Sequence, residues 1–314
     1  MSSYLIRRFL LMLLTLFGVS IVIFGLLRIV PGNIADILFD AAGMVDPKEK
    51  AKIVAELGLD QPLVTQYTRW IGGLLHGDLG FSYISEKPTW DEIAPRIPIT
   101  ARLAALTLII SVCFGVPLGV ISAVRQNTKL DYFLRVISLC GLSLPSFWLG
   151  LLILMACVHW FGTIPIYDAS AGFWEQLGLM LVPAAAVGYR SSALIMRLTR
   201  SSMLEVLRQD YVRTARSKGV PERSVNFDHA LRNAVVPVIT VIGVEAAFLL
   251  GGLIVTETVF NIPGVARFVV EAIRQRDYPI VQNLIMFIAF VVVTINLLVD
   301  LTYVLIDPRI RYSD

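Results

Sequence analysis

Basic side chains are concentrated in one short stretch of this chain, DYVRTARSKGVPERSV, which covers residues 210–225. The stretch contains four of them: Arg213, Arg216, Lys218 and Arg223. Guanidinium and ammonium groups act on their surroundings by charge, either on a partner protein's surface or on anionic lipid. The stretch is therefore suited to binding, and its partner depends on the elements that position it.

Ionisable residues also occur within or at the edges of long apolar blocks: Arg102, Arg190, Glu245 and Asp300. A charge at the centre of a membrane costs about 2.5–3.5 kcal/mol, so such residues face protein or water. From their positions along helices, Glu245 lies ~15 Å deep and Arg190 ~10 Å deep. The two could pair, or Glu245 could face a pathway and attract a cationic solute group, or it could be protonated and inert.

Residues that carry catalysis elsewhere form no recognisable group in this sequence. His76, His159 and His229 are scattered, HExxH is absent, and no serine and histidine share a common depth. The sequence contains no GxxxxGK[ST] phosphate-binding loop, so the chain is not expected to bind ATP itself. The three cysteines fall inside apolar blocks and predict neither a disulfide framework nor a metal site.

The elements around these residues follow from composition. The chain has 314 residues, of which 56% are hydrophobic and 16% charged, whereas soluble domains carry about 25% charge. Six apolar blocks are long enough to cross a membrane as helices, roughly over residues 9–30, 101–124, 136–160, 177–197, 234–256 and 281–306. The sequence predicts an all-α integral membrane protein with six transmembrane helices, and the net charge of +3 is too small to suggest nucleic acid as a partner.

Orientation is indicated by the lysines and arginines, which favour the cytoplasmic side. With the N-terminus inside, the inner segment 198–233 holds eight basic residues if Arg197 at its edge is counted, whereas the outer segment 161–176 holds none. Both termini and the basic stretch are therefore predicted to be cytoplasmic. The first apolar block is longer than the core of a signal peptide and is interpreted as a retained membrane helix.

The outer segment 31–100 is too long to be a plain connector. DPKEKAKIVAELG, residues 46–58, predicts a helix that Gly58 caps, and a second amphipathic helix is expected after Pro62. We therefore expect a small folded extracytoplasmic layer between the first two transmembrane helices. It serves either as a docking surface or as a lid on the helix ends. The sequence therefore divides into three parts: residues 1–30, residues 31–100, and a core membrane part, 101–314, that includes the inner loop 198–233.

Within the inner loop, Ser202 precedes Glu205 by three residues, which is the spacing of a capping box and predicts a helix start. Leu207, Tyr211 and Ala215 recur every four residues and predict one apolar stripe. The arginines occupy the other faces of this helix. The stripe favours docking to a partner over a loop that only sets topology.

Gly219 predicts the end of this helix, and Pro221 suits the first turn of a second short helix. The loop is thus predicted to be a helix, a glycine bend and a second helix between two membrane spans. A basic loop that merely sets topology, touching anionic lipid, would not require the bend.

The segment TRSSMLEVLRQDYVRTARSKGVPERSVNFDHALRNAVVPVITVIG resembles the cytoplasmic coupling loop of binding-protein-dependent ABC transporter permeases, in the peptide/opine/nickel branch, of the dipeptide-type first permease subunit. Further similar segments, in the same order, include LGLDQPLVTQYTRWIGGLLHGDLGFS, GLSLPSFWLGLLIL and GGLIVTETVFNIPGVARFVVEAIRQRDYPIVQ. The general loop motif is EAA, three residues, then Gly. Here Arg213-Thr214-Ala215 precedes Gly219, so only the second Ala and the Gly match, as is typical of the peptide branch.

The resemblance implies a type I ABC importer permease fold in a bacterial inner membrane. It implies a second homologous permease subunit, two ABC ATPase subunits that bind ATP–Mg, an extracytoplasmic solute-binding protein and surrounding membrane lipid as partners, with no cofactor on this chain itself. The residues it places in the ATPase-coupling loop are Asp210, Tyr211, Arg213, Thr214, Ala215 and Gly219, while Glu245 and Arg190 are candidates for the translocation pathway.

Di- or oligopeptides are the substrates that the resemblance favours. Glutathione, opines, sugars or nickel are the alternatives within the same type of permease. A stand-alone secondary transporter would need its own coupling-ion site, for which Glu245 is the single deep acid.

Overall fold

The computed structural model describes residues 2–29, 54–55, 58–82 and 84–306, and these are mostly helical. The first part contains α1 (Ser2–Ile29), α2 (Leu63–Leu75), a two-stranded antiparallel hairpin of β1 (Phe81–Ser82) and β2 (Lys87–Pro88), and α3 (Thr89–Ile93). The middle contains α4 (Ile97–Val124), α5 (Lys129–Ser143), α6 (Ser146–Phe161), α7 (Phe173–Val206), α8 (Asp210–Ser217) and α9 (Glu222–Ser224). A π-helical turn (Val225–Leu231) leads into α10 (Arg232–Gly252), which is followed by α11 (Ile254–Val259), α12 (Val265–Arg274) and α13 (Tyr278–Ile306).

Five of the described helical segments are long and apolar enough to cross a membrane. They are Ile6–Ile29 in α1, Thr89–Val124 from α3 to α4, Phe173–Val206 in α7, Glu222–Leu249 from α9 into α10, and Tyr278–Leu301 in α13. A sixth span results if α5 and α6, which are bent by 103° relative to each other, are counted as one broken span. The all-helical membrane fold is thus confirmed, but the prediction of a continuous third helix over 136–160 is wrong. The break falls at Leu144–Pro145, where the residue before a proline takes an extended conformation, with ψ 132° at Leu144.

The chain divides into two compact units, residues 1–100 with 263–294 and residues 101–262 with 295–314. In the first unit, α12 packs its buried face, including Val265 and Val269, against Ile93 and the start of α13. The helix predicted after Pro62 is confirmed as α2. The helix predicted over 46–58 lies almost wholly outside the described residues.

The second unit is arranged around α7, which packs against α5, α6 and α10. Small residues permit close approach between membrane helices. At Gly119 of α4, for example, a Cβ atom would lie 2.6 Å from the Thr199 Cβ of α7. Pro117 and Pro183 lie inside α4 and α7 without ending either helix.

Candidate functional site

The basic stretch folds as a short helix, α8, set off from α7 by a turn at residues 207–209. α7 continues to Val206, so the helix start predicted at Ser202 is wrong. Ser202 is only 8% exposed and lies in the interior of α7. The capping-box spacing does not mark a helix start here, because Ser202 is packed in the interior of the longer helix α7. α8 begins instead after Gln209, which has extended backbone angles.

The buried face of α8 consists of Val212 and Ala215, which are 0% and 8% exposed and pack on Val225. The stripe predicted for docking is therefore wrong at Ala215, which is buried in its own chain, whereas Tyr211 is 45% exposed and accessible to a partner. The break before α8 interrupts the four-residue periodicity that joined Leu207 to Tyr211. Ala215 therefore packs within its own chain, and this small apolar cluster holds α8 against the loop that follows it.

The C-terminal end of α8 is closed by a glycine-dependent bend. The Val220 N–H donates to the Ala215 carbonyl (3.2 Å) and the Gly219 N–H donates to the Arg216 carbonyl (2.9 Å), which is the Schellman pattern. Gly219 has φ +78°, where a Cβ is disfavoured. The predicted helix end at Gly219 and the helix start after Pro221 are confirmed. The second helix is not a separate short one, however, because α9 continues through the π-helical turn into α10.

The exposed face of α8 carries Asp210, Tyr211, Arg213, Thr214 and Arg216. Arg213 lies 3.6 Å from the Asp210 carboxylate, and both side chains are largely in solvent. Arg216 donates from Nε to the Glu222 carboxylate at 2.8 Å, which ties α8 to α9. Tyrosine and arginine are the residue types that dominate protein–protein hot spots, so this face is suited to a protein partner.

The hydroxyl of Tyr211 is hydrogen-bonded by a residue at the far end of the loop, Asn233. The Asn233 side-chain amide donates to the Tyr211 hydroxyl at 2.9 Å and to the His229 carbonyl at 2.9 Å. This contact joins α8 to the first turn of α10. The loop is consequently anchored to both of the membrane helices that flank it.

A buried ion pair lies near this loop and is absent from the sequence-based predictions. Asp131 of α5 is fully buried, and Arg200 of α7 donates to both of its oxygens, from Nε and Nη2, at 2.8 Å each. The Ser122 hydroxyl and the Asn127 N–H complete the carboxylate's bonds at 2.6 and 3.0 Å. The sequence offered one signal here, the spacing Thr128-x-x-Asp131, which predicts a helix start with Thr128 as its N-cap. Thr128 does cap α5 in the structure.

Glu245 and Arg190 lie on α10 and α7, and the expected ion pair between them is not found among the described side chains. Glu245 is 6% exposed and accepts a hydrogen bond from the Ser191 hydroxyl at 2.6 Å. The Arg190 guanidinium lies 5.4 Å from the centre of the Phe248 ring. Depth along the helices correctly predicted which turn of α7 lies beside Glu245. Neighbouring residues of a helix project about 100° apart, however, so the side chain that reaches Glu245 is Ser191 and not Arg190.

The six residues predicted for coupling are therefore gathered on α8 and its bend, whereas Glu245 and Arg190 are separate from them. α7 leads into α8, and the loop after α8 leads into α10, so the same two helices carry both sets. This continuity defines a membrane protein in which the loop between α7 and α10 packs directly on the ends of those two helices.

Two family models match the chain. "Binding-prot-dependent transport system membrane comp, N-term" covers residues 1–104, and "Binding-protein-dependent transport system inner membrane component" covers residues 115–312. The chain belongs to this family of inner membrane permeases, which confirms the resemblance found in the sequence.

Among its relatives, the dipeptide transport system permease protein DppB of Escherichia coli strain K12 is 38% identical, and the alignment covers 100% of both chains. The di/tripeptide transport system permease protein DppB of Pseudomonas aeruginosa is 37% identical over 100% of both chains. A putative peptide transport system permease protein of Brucella abortus is 40% identical over 94% of both chains.

Proposed function

We propose that this chain is a permease subunit of an ATP-driven ABC importer for di- and oligopeptides, in which it forms half of the translocation pathway. Family membership over both segments of the chain carries the proposal, because the family is defined by binding-protein-dependent transport. The peptide substrate is supported by full-length relatives that are named as dipeptide and di/tripeptide permeases.

In this proposal α8 docks into a cleft on a cytoplasmic ATPase subunit. Its exposed face offers Tyr211, Arg213 and Thr214, while its other face is fixed on the chain's own core through Val212 and Ala215. A preformed helix loses little conformational entropy on docking, so displacement of the ATPase is passed to the membrane helices rather than absorbed by the loop.

The assembly would contain two ATPase subunits, a second homologous permease and an extracytoplasmic solute-binding protein. ATP–Mg would bind to the ATPases. Closure of the ATPases around ATP would convert the permease from an inward-facing to an outward-facing state. Both termini of this chain and α8 would then be cytoplasmic, in agreement with the arginine distribution.

Glu245 is the residue of this chain best suited to meet the peptide in the pathway. It is a nearly buried acid held by Ser191, and an acid at this depth attracts the amino group of a peptide. Arg190, which directly precedes Ser191 on α7, would contact the peptide carboxylate from the same helical turn. Both roles are specific to transport and not to assembly.

The proposal is tested by dipeptide uptake into proteoliposomes that contain the assembled transporter. Thr214→Arg enlarges an exposed residue of α8, so it should abolish uptake and ATPase retention while leaving the chain in the membrane. Arg125→Ala, which removes an exposed basic residue elsewhere on the predicted inner side, is the matched control and should transport normally. Uptake by this chain without any ATPase would contradict the proposal and favour a secondary transporter.

Substrate class is tested in the same preparation by competition. Unlabelled di- and tripeptides should compete with the labelled dipeptide, whereas opines, sugars and nickel should not. Competition by glutathione alone would assign the transporter to glutathione-like peptides. Uptake of none of the peptides would refute the substrate assignment and leave the coupling role intact.

A further inference from the structure

Two adjoining cavities lie within the unit formed by residues 1–100 and 263–294. One is apolar, about 570 Å³ in volume, and runs between α1, α2 and α13. The other has a volume of about 270 Å³ and lies at the end of α1 beside α2, and we call it the polar cavity because charged and amide side chains are among its lining. They share Leu79 and Asn283, so together they form one site with an apolar part and a polar part.

Two residues that line the polar cavity each carry a buried donor that has no acceptor in the described part of the chain. Arg28 donates from Nε and Nη2 to the Gln66 side-chain oxygen at 3.3 and 3.1 Å, and its guanidinium lies 4.2 Å from the centre of the Phe24 ring. Its Nη1 is buried and has no hydrogen-bond partner among the described residues. The Nε2 of Gln282, a residue only 4% exposed, is likewise unpartnered there.

These donors indicate what the polar cavity is built to hold. Leaving a buried donor unpaired is unfavourable, and more so when the donor is charged. Among the described residues, the charged ones that line the cavity are Arg28, Arg69 and Asp78, which sum to one positive charge. An oxyanion satisfies both donors and this charge at once.

The apolar cavity indicates what is attached to the oxyanion. Its rim is formed by large side chains that are exposed in this chain, including Leu13 (46%), Phe17 (56%) and Phe290 (49%). From Leu13 to Arg28, α1 rises about 22 Å, while one leaflet's hydrocarbon is about 15 Å thick with headgroups beyond it. The apolar groove thus spans acyl-chain depth when Arg28 stands at headgroup depth.

We infer that this unit binds one anionic phospholipid from the leaflet into which the C-terminal end of α1 projects. The phosphate accepts hydrogen bonds from Arg28 Nη1 and Gln282 Nε2, and one acyl chain lies in the groove beside Phe17. A free phosphate or a small carboxylate shares the oxyanion chemistry but leaves the groove empty. The inference stands apart from the proposed function, since it involves neither α8 nor Glu245.

The test is native mass spectrometry of the transporter purified with its attached subunits from nanodiscs of phosphatidylcholine containing phosphatidylglycerol. The unmodified chain should retain one phosphatidylglycerol. Arg28→Gln should lower the retained fraction about tenfold, as expected for loss of a charge-assisted hydrogen bond. Arg7→Gln, which removes an exposed charge from the other end of α1, is the matched control and should retain the lipid.

Two further variants separate the parts of the site. Gln282→Leu removes the amide donor without changing charge and should lower retention severalfold. Leu16→Trp fills the groove and should lower it as well, because Leu16 lines the apolar cavity. Each variant is compared only if its size-exclusion profile matches that of the unmodified transporter.

Three results would overturn the inference. Equal retention by Arg28→Gln and Arg7→Gln would show that Arg28 holds no headgroup. Displacement of the lipid by inorganic phosphate, with Leu16→Trp silent, would reduce the site to a small-oxyanion site. Crosslinking of benzoylphenylalanine at Phe17 to another protein chain instead of lipid would show that a second subunit fills the groove.

Discussion

Asp131→Asn should be among the most damaging conservative substitutions in this chain. It removes the charge from a carboxylate that is fully buried and leaves Arg200, whose side chain is 18% exposed, without its counter-ion. Breaking a buried pair from one side costs about 3–5 kcal/mol. At an effective dielectric of 20, the Coulomb attraction of two unit charges 4 Å apart is about 4 kcal/mol, which agrees with that range.

The remaining bonds set where in this range the loss falls. The substituted amide would keep one carbonyl oxygen able to accept from the Ser122 hydroxyl, which donates at 2.6 Å to Asp131 in the native chain. Its amide nitrogen would then take the place of Oδ2 and would face both Arg200 Nη2 and the Asn127 N–H, which are donors. We therefore expect a loss of about 3 kcal/mol, and a similar loss for Arg200→Met.

The assay is equilibrium unfolding of the purified permease in mixed micelles of dodecyl maltoside and increasing sodium dodecyl sulfate. A double-mutant cycle with Asp131→Asn and Arg200→Met should show a coupling of about 1–3 kcal/mol, because the double variant leaves no charge uncompensated. Glu222→Gln is the control, since it breaks the exposed pair with Arg216 and should cost under about 1 kcal/mol. If Asp131→Asn costs no more than Glu222→Gln, the reasoning about burial is refuted.

Three further predictions concern other parts of the chain. Gly219→Val should lower the stability of the loop by about 1–2 kcal/mol and reduce ATPase retention, whereas Gly219→Asn, which tolerates positive φ, should be milder; equal effects would contradict the Schellman bend. Burial raises the pKa of the Asp277 carboxyl above its usual value of 3.8, so the folded state binds this proton more tightly than the unfolded state does. The free energy of unfolding therefore falls as the pH rises from the unfolded-state pKa to the folded-state pKa. Asp277→Asn should make the melting temperature less dependent on pH between about pH 4 and 7, and an unchanged pH dependence in this variant would contradict the prediction. In a variant without native cysteines, an impermeant thiol reagent applied to intact cells should label Thr65→Cys and not Ser217→Cys, and labelling at Ser217→Cys would overturn the proposed orientation.

Features that depend on one residue and its neighbours are predictable from the sequence. The end of α8 at Gly219 is such a feature, since positive φ is a local property of glycine. The apolar blocks are another, because the hydrocarbon core imposes a minimum length on any helix. The break at Leu144–Pro145 can also be predicted, because Pro145 lacks an N–H. The 103° angle between the two helices cannot, because it depends on packing that composition does not specify.

Features that depend on the direction of a side chain are not predictable in this way. The periodicity places Ala215 on a partner-facing stripe, yet this residue packs against Val225 because the turn before α8 resets the helical phase. Asp131 and Arg200 are 69 residues apart, and only the packing of α5 on α7 brings them together. A substitution such as Ala215→Asp would therefore disrupt the chain's own fold before it reached any partner.

The length of α7 has a mechanical consequence. Its 34 residues form a rod about 51 Å long, whereas the hydrocarbon core is about 30 Å thick. Such a rod works as a lever, and tilting it by about 10° around its middle displaces each end by about 4 Å. Asp131 holds this rod near its C-terminal end through Arg200. Under the proposed function, we expect a displacement of α8 to tilt α7 and to move α5 with it.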